Sequence, residues 1–235
     1  MKAEEFKDKL YYENIELLMG AKYIAGVDEV GRGPLAGPVV TAAVIMPLDD
    51  VVAGVDDSKK LSKKKREKLY DEILSKAISV SVKEVSETVI DEINILNATK
   101  LCMKNSIEAL SVKPDVVLVD AVKLDVGVKC VPIIKGDAKS YSIGAASIVA
   151  KVYRDRLMER YGELYRGYGF ERNMGYGTKE HIEKLKEIGA CPIHRRTFIK
   201  NFLGQAEKQK PLKLSKSKAL KSSRATTSRR TAKRT

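Results

Sequence analysis

The sequence lacks tryptophan and has few of the residues that mark several protein classes. Its 235 residues include four Phe, two His and three Cys. The cysteines (Cys102, Cys130 and Cys191) form neither a disulfide framework nor a zinc-binding pattern, so we expect reduced thiols in the cytosol. No apolar run approaches the roughly 18 residues of a membrane span, and the charged first residues lack the apolar segment of a signal peptide. We therefore expect a cytoplasmic protein that does not bind membranes.

Acidic residues are missing from the segment 208–235, and this absence locates the net charge of +13. The segment contains seven Lys and four Arg, so the other 207 residues carry only +2. Such a segment cannot bury enough apolar surface to offset its ordering entropy. We predict a folded domain over residues 1–205 and a disordered basic tail over 206–235. The tail could attract polyphosphate in a salt-sensitive manner, or it could only aid solubility.

The order of apolar segments predicts an α/β fold with a helical C-terminal region. Ser62 and Thr178 are suitable helix N-caps, and Gly189 suits a helix C-terminus. The first two strands should form a hairpin. The predicted strands cover residues 23–27, 38–46, 79–85, 116–119 and 131–134, and the predicted helices cover the first twenty residues (apolar members Phe6, Leu10, Ile15, Leu17 and Leu18), 62–77, 87–110 with a break near Asn94, 145–160 and 178–188.

Carboxylates stand at or just beyond the ends of three apolar strands: Asp28–Glu29, Asp120 and Asp137. The carboxyl ends of strands are where ligands bind in α/β sheets, and carboxylates there are costly unless cations accompany them. Acids without matching histidines favour Mg²⁺ or Mn²⁺ over zinc. Two such ions about 4 Å apart can orient a water molecule and stabilise the leaving oxygen of a phosphodiester.

Each of these acids also has a simpler interpretation. Asp137 could cap the following helix, and Asp120 could be a turn residue. Neighbours on a regular strand point to opposite faces. For Asp28 and Glu29 to reach one metal site, the strand must end or bulge there, or one of them must contribute its backbone carbonyl.

A glycine-rich segment, residues 31–38, follows the first pair of acids. Glycines let backbone N–H groups come close to a phosphate or a sugar hydroxyl. The segment is not a dinucleotide fingerprint, because its spacing is G-x-G-x-x-x-G and a strand follows instead of a helix.

Two further segments are candidates for contact with a polyanion. Residues 59–66 carry six positive charges, which is typical of a solvated helix start but also favours a nearby anion. Tyr176 stands between Gly175 and Gly177, so its ring is free to stack on a sugar or base. His181 and His194 form no cluster with other candidate ligands, and we assign neither a catalytic role.

Several blocks together resemble the signature of type 2 ribonucleases H, specifically the bacterial ribonuclease HII family. The resemblance covers about residues 22–203 and implies a ribonuclease-H-like fold, with a central mixed sheet flanked by helices and a C-terminal helical region. The blocks occur in the family's order and are residues 26–38, 57–62, 137–140 with 145–148, 168–170, 175–178 and 194–195.

The resemblance also implies an activity. Members cut the RNA strand of RNA/DNA hybrids and incise 5′ of a single ribonucleotide in duplex DNA, leaving 3′-hydroxyl and 5′-phosphate ends. By this resemblance Asp28, Glu29, Asp120 and Asp137 are the catalytic acids, which hold Mg²⁺ or Mn²⁺, with two ions at catalysis. The expected partner is nucleic acid, and the expected state is a monomer.

Substrate contacts follow from the same resemblance. Gly31, Arg32 and Gly33 match the segment that senses the ribose 2′-hydroxyl, and Tyr176 matches the tyrosine that packs on the sugar. We expect Lys59 and the basic residues after it to bind the nucleic-acid backbone without sequence preference.

Three positions depart from the family pattern, namely Ala121, Arg166 and Met174, and none is a proposed metal ligand. Two alternative functions were considered. One is a catalytically silent duplex-binding protein, which would have no physical use for the acids. The other is a two-metal nuclease acting on DNA, against which only the Gly31–Gly33 segment and Tyr176 speak.

Overall fold

The computed structural model describes residues 9–203 and consists of a five-stranded mixed sheet flanked by helices. The strands are β1 (Ile24–Val30), β2 (Val39–Ile45), β3 (Ser79–Val85), β4 (Val116–Asp120) and β5 (Lys129–Ile133). The helices are α1 (Tyr11–Leu18), α2 (Lys63–Lys76), α3 (Glu87–Glu108), α4 (Gly136–Lys139), α5 (Tyr141–Leu164), α6 (Phe170–Asn173), α7 (Lys179–Ile188) and α8 (Arg196–Ile199), with a 3₁₀ turn at Ser58–Lys60. Phe6 and the predicted basic tail lie outside the described residues.

The strand order is β3-β2-β1-β4-β5, which confirms the predicted α/β fold with a mixed central sheet. Strands β1, β2 and β3 pair antiparallel, so the predicted hairpin of the first two strands is confirmed. Strands β1, β4 and β5 pair parallel. The carboxyl ends of β1 and β4 therefore meet at one edge of the sheet.

Helix α5 packs directly against β1, and Gly26 makes this approach possible. A Cβ atom at Gly26 would lie 2.0 Å from the backbone carbonyl carbon of Ser142. Ala145, Ala146 and Val149 of α5 join Ala42 of β2 in a buried core on this face. The close contact sets the start of α5 beside the end of β1, where the first acids stand.

Helix boundaries follow the expected capping chemistry. The side chains of Ser62 and Thr178 accept N–H groups three residues later, and Gly189 ends α7 at φ 78°. The predicted break at Asn94 is confirmed by its φ of 66°. The Asn94 side chain accepts the N–H groups of residues 96 and 97 at 3.0 and 3.1 Å, which restarts the helix.

Two helices differ from the sequence prediction. Helix α5 begins at Tyr141 instead of Ala145, because the Ser140 hydroxyl accepts the N–H of Ile143 at 3.2 Å. In α1 the buried residues are Glu13 and Glu16, whereas Leu18, a predicted apolar contact, is 90% exposed. Glu13 accepts the Ser140 hydroxyl at 2.6 Å, so a buried carboxylate docks α1 onto the start of α5.

The described part of the chain contains no helix that is both long and apolar enough to cross a membrane. The three cysteines all fall within residues 9–203 and are unpaired.

Candidate active site

Three of the predicted acids, Asp28, Asp120 and Asp137, meet at the sheet edge formed by β1 and β4. Together with Glu29 they form the acid edge. Parallel pairing sets Val27 opposite Val119, which brings Asp28 and Asp120 side by side at the next position. The N–H of Gly136 donates to Asp120 Oδ1 at 2.7 Å, and Asp137 follows in the first turn of α4. Residues that are more than 100 positions apart in the chain thus share one edge.

The structure distinguishes among the routes by which Asp28 and Glu29 could serve one metal site. Strand β1 neither ends nor bulges at this point, because regular pairing with β2 continues through Asp28, Glu29 and Val30. Adjacent side chains on such a strand face opposite sides. The Glu29 carboxylate lies 3.3 Å from Arg32 Nη1. A contribution from the backbone carbonyl of Glu29 is therefore the route left open.

The acids raise one another's pKa. Burial, together with the charges of Glu29 and Asp120, raises the pKa of Asp28 well above its ordinary value. Burial also raises the pKa of Glu29, with Arg32 opposing and Asp120 adding to the shift. The pKa of Asp120 is raised by burial and by Asp137, although the Gly136 N–H opposes this. The edge thus holds more negative charge than its surroundings compensate, which favours a bound cation.

Lys59 contacts Asp137 of the acid edge, which the sequence did not predict, and its expected role in binding the nucleic-acid backbone stays a prediction. Its ammonium lies 3.2 Å from Asp137 Oδ2. Partial burial lowers the pKa of Lys59, but the charge of Asp137 and the hydrogen bond to it outweigh this and raise the pKa. The ammonium therefore compensates one carboxylate of the edge.

The acid edge fits divalent cations in donor type and charge. Asp28, Asp120 and Asp137 each accept one backbone N–H, at 2.7–2.9 Å. Glu29 Oε2 is buried without a hydrogen-bond partner among residues 9–203. Within the same residues no three His, Cys, Asp or Glu side chains are arranged to hold one ion. The carboxylates must therefore turn to converge on a cation.

The glycine-rich segment, residues 31–38, forms a turn that contacts the loop carrying Tyr176. These two features are the glycine-rich turn and the Tyr176 loop (residues 175–178). A Cβ atom built on Gly33 would lie 3.6 Å from Cε1 of the Tyr176 ring, which is 44% exposed. The N–H of Leu35 donates to the Gly175 carbonyl at 2.8 Å, and a Cβ on Gly175 would lie 2.4 Å from the Ala36 carbonyl oxygen. The structure thus brings together the segment 31–33 and Tyr176.

The two histidines form a pair next to the Tyr176 loop, a contact that the sequence did not indicate. His181 Nε2 lies 3.0 Å from His194 Nε2. The N–H of Cys191 donates to His194 Nδ1 at 3.0 Å, so His194 carries its proton on Nε2 and donates it to His181. His181 Nδ1 then donates to the Tyr176 carbonyl at 2.9 Å. Two neutral imidazoles thereby support the Tyr176 loop.

Sequence reasoning did not single out two buried arginines that support the glycine-rich turn. Arg154 and Arg195 are both 0% exposed. Arginine is rarely buried without a carboxylate partner, and a sequence carries no signal for it. The nearest signal was the block 194–195 in the family resemblance.

Solved structures resemble both the fold and the arrangement of its elements. The ribonuclease H2 of Pyrococcus horikoshii OT3 superimposes with a TM-score of 0.65 and 31% identity, over 77% of this chain and 97% of that chain. The RNase HII of Archaeoglobus fulgidus, solved in a complex with PCNA, gives a TM-score of 0.64 and 32% identity, over 74% and 94%. With the acids at the strand ends, these matches define the protein as a metal-dependent endoribonuclease of the ribonuclease H class.

Sequence comparison specifies the family. The family model for ribonuclease HII matches residues 25–201. The ribonuclease HII of Ligilactobacillus salivarius is 57% identical over 194 residues, which cover 83% of this chain and 76% of the relative. That of Enterococcus faecalis is 56% identical over 193 residues, covering 82% and 76%. The chain belongs to the ribonuclease HII family, as the sequence motifs predicted.

Proposed function

We propose that the protein, acting as a monomer, cuts duplexes at ribonucleotides. It cleaves the RNA strand of RNA/DNA hybrids and incises 5′ of a single ribonucleotide in duplex DNA, leaving 3′-hydroxyl and 5′-phosphate ends. The observation that carries this proposal is the close approach of Gly33 to the Tyr176 ring, in a turn that Arg32 joins to Glu29 of the acid edge. The 2′-hydroxyl is the group that distinguishes RNA from DNA at a given position, so a sugar held there can be sensed.

Gly33 supports this role because folding does not require a glycine there. Its φ is not positive, and an added Cβ would meet only the Tyr176 ring, at ordinary contact distance. A sugar that packs against the ring would instead require that no side chain stands at this position. Arg32 and Gly33 are exposed, so a duplex can reach them.

The acids would hold the metal ions that act on the phosphodiester. Mg²⁺ or Mn²⁺ bound there, two ions at catalysis, would supply Lewis-acid stabilisation of the phosphate oxygens and lower the pKa of a water molecule. Asp28 and Asp120 would be the principal ligands, Glu29 would assist through its carbonyl, and Asp137 would serve the second ion. Lys59 would exchange its contact with Asp137 for a contact with a phosphate of the nucleic-acid backbone.

Cys102, Cys191 and His194 offer no competing nucleophile or acid at neutral pH. Burial raises the pKa of Cys102 to about 11 and that of Cys191 to about 12, so both remain thiols. Burial and the neighbouring His181 lower the pKa of His194 to about 3, so it remains neutral. This supports a metal-dependent attack by water.

The test uses labelled duplexes that contain one ribonucleotide, only DNA, only RNA, or an RNA/DNA hybrid, with Mg²⁺, Mn²⁺ or chelator. We expect metal-dependent cleavage of the hybrid and of the single-ribonucleotide duplex. In Asp28→Asn or Asp120→Asn the rate should fall at least about 100-fold with the fold retained. Asp125→Asn is the matched control, because Asp125 is an exposed acid in the loop after β4.

Each alternative has its own outcome. Cleavage of the all-DNA duplex would indicate a nuclease that acts on DNA, and binding without cleavage would indicate a silent duplex-binding protein. Full metal-dependent activity in either Asn variant would refute the assignment of the acids.

A further inference from the structure

The side chain of Arg195, in the C-terminal helical region, donates hydrogen bonds to the backbone of the glycine-rich turn. Its Nη1 donates to the Arg32 carbonyl at 2.9 Å, and Nη2 donates to the carbonyls of Gly31 and Gly37. Its Nε also donates to Gly37, at 2.9 Å. One fully buried guanidinium thus engages three carbonyls of a turn more than 150 residues away in sequence.

Arg154 on α5 completes this support from a second side. Its guanidinium donates to the carbonyls of Ala36 and Pro38 in the turn, and to that of Met174 before the Tyr176 loop, at 2.9–3.2 Å. Neither Arg154 nor Arg195 forms an ion pair with a carboxylate among residues 9–203. The two positive charges are directed at loop carbonyls, although burying them so close together is unfavourable.

The bonds of Arg195 determine which way two N–H groups point. In a trans peptide the carbonyl and the following N–H point in opposite directions, and none of the described peptide bonds is cis. The Gly31 and Arg32 carbonyls point inward to Arg195, so the N–H groups of Arg32 and Gly33 point outward. Neither N–H is hydrogen-bonded to another described group. Two unpaired donors therefore face outward, on the side of the turn away from Arg195.

The glycines of the turn are of two kinds, which differ in what an added Cβ atom would meet. A Cβ on Gly31 would lie 2.2 Å from Arg154 Nε, and one on Gly37 would lie 2.5 Å from Met158 Sδ and 3.1 Å from Arg154 Nη2. Both residues also have positive φ, 92° and 87°. These two glycines make room for the guanidiniums, whereas Gly33 leaves space on the outer side. The turn is built so that its carbonyls are satisfied inside and its N–H groups remain available outside.

We propose that Arg195 is a positioning residue for ribonucleotide recognition. By holding the carbonyls of Gly31 and Arg32, it aims the N–H groups of Arg32 and Gly33 at the 2′-oxygen of a ribose packed on Tyr176. The inference rests on the proposed function, because it assigns the donors for the sugar that the proposed reaction requires. It adds a residue that would act on specificity without touching the substrate.

The test compares binding of a DNA duplex that carries one ribonucleotide with binding of the same duplex made only of DNA, in chelator so that no cleavage occurs. Arg195→Lys keeps the charge but cannot reach three carbonyls at once. We expect the preference for the ribonucleotide to fall about ten-fold, the equivalent of one or two hydrogen bonds, while all-DNA affinity is unchanged. Ile73→Ala, in the buried core of α2, is the control for lost stability and should keep the preference.

The outcomes separate this proposal from the proposed function. If the wild-type protein shows no preference for the ribonucleotide, the proposed function fails. If the wild-type protein shows the preference and Arg195→Lys retains it, the positioning role of Arg195 is refuted.

Amide hydrogen exchange in the wild-type protein tests the same point, should Arg195→Lys not fold. The N–H groups of Arg32 and Gly33 should gain protection with the ribonucleotide duplex, and much less with all-DNA. Equal protection by both duplexes would overturn the proposal.

Discussion

The acid edge and the glycine-rich turn bury charge in opposite ways. At the acid edge, burial and the neighbouring carboxylates raise the pKa values of Asp28 and Asp120. At the turn, two guanidiniums are buried close together, and each donates to three carbonyls. The first region is incomplete without a cation, whereas the second is complete within the protein. The difference separates the part that awaits a ligand from the part that positions one.

Substitutions in the two regions should therefore change the free energy of unfolding in opposite directions. Removing a charge from the acid edge should stabilise the metal-free protein, because it relieves repulsion and desolvation. A disturbance of the satisfied turn should destabilise the protein, because buried donors or acceptors then lose their partners. The two regions can therefore be compared through their stability and their response to ligands.

The largest effect is expected for Gly31→Ala. The new Cβ would lie 2.2 Å from Arg154 Nε, in a residue with φ of 92°. We expect a loss of about 2–4 kcal/mol in the free energy of unfolding, which would lower the Tm by roughly 5–15 °C. Thermal or urea unfolding measures this change.

Gly33→Ala is the matched control within the same turn. Its Cβ has space, so its stability should stay within about 0.5 kcal/mol of wild type, while cleavage at a single ribonucleotide should fall. Equal losses of stability in the two variants would show that the turn is not divided into an inner and an outer side.

Low pH should reduce the stability of the protein through the His181–His194 pair that supports the Tyr176 loop. Burial lowers the pKa of His181, and burial together with the charge of His181 lowers that of His194 to about 3. Unfolded histidines take up protons below about pH 6.5, whereas the folded pair cannot, so stability present above that pH is lost as the pH falls toward 3. The slope from His194 should approach about 1.4 kcal/mol per pH unit, and His181 should add to it with the same sign.

Urea midpoints at pH 7 and pH 5 test this dependence on the histidine pair. The shift between the two pH values should be smaller in His194→Gln than in wild type. The acid edge should respond with the opposite sign, because its raised pKa values make protonation favourable in the folded state. An identical shift in His194→Gln and wild type would show that the pair is not the source.

Asp28→Asn should produce a smaller change in stability, but with the opposite sign to Gly31→Ala. Asp28 is 4% exposed and lies beside Glu29 and Asp120, whose charges it repels. In chelator we expect the Tm to rise by about 2–4 °C, the equivalent of roughly 1 kcal/mol. Addition of Mg²⁺ should raise the Tm of wild type more than that of the variant. A lower Tm of Asp28→Asn in chelator would contradict the view that this edge is electrostatically incomplete.

The two regions also differ in how far the sequence predicted them. Asp28 and Asp120 could be found because each follows an apolar strand, and parallel neighbours end at the same edge. The strand boundary at Asp28 was wrong because the apolar pattern stops before the ladder does. Arg154 and Arg195 could not be found, because their roles depend on long-range contacts with backbone carbonyls. The same holds for the pairing of His181 with His194, thirteen residues apart.

The basic tail, whose role remains a prediction, should have the smallest effect on the acid edge and the turn themselves. Residues 208–235 carry +11, whereas the rest of the chain carries +2. Deleting the tail should weaken binding to a hybrid duplex about ten-fold near 50 mM salt, and hardly at all at several hundred millimolar, because released counterions supply this affinity. A chain of the same length with glutamine at each Lys and Arg of the tail is the control for length. Since the tail contributes neither the acid edge nor the turn, the preference for a ribonucleotide should be unchanged in both variants; equal affinity with and without the tail at low salt would leave it only a solubilising role.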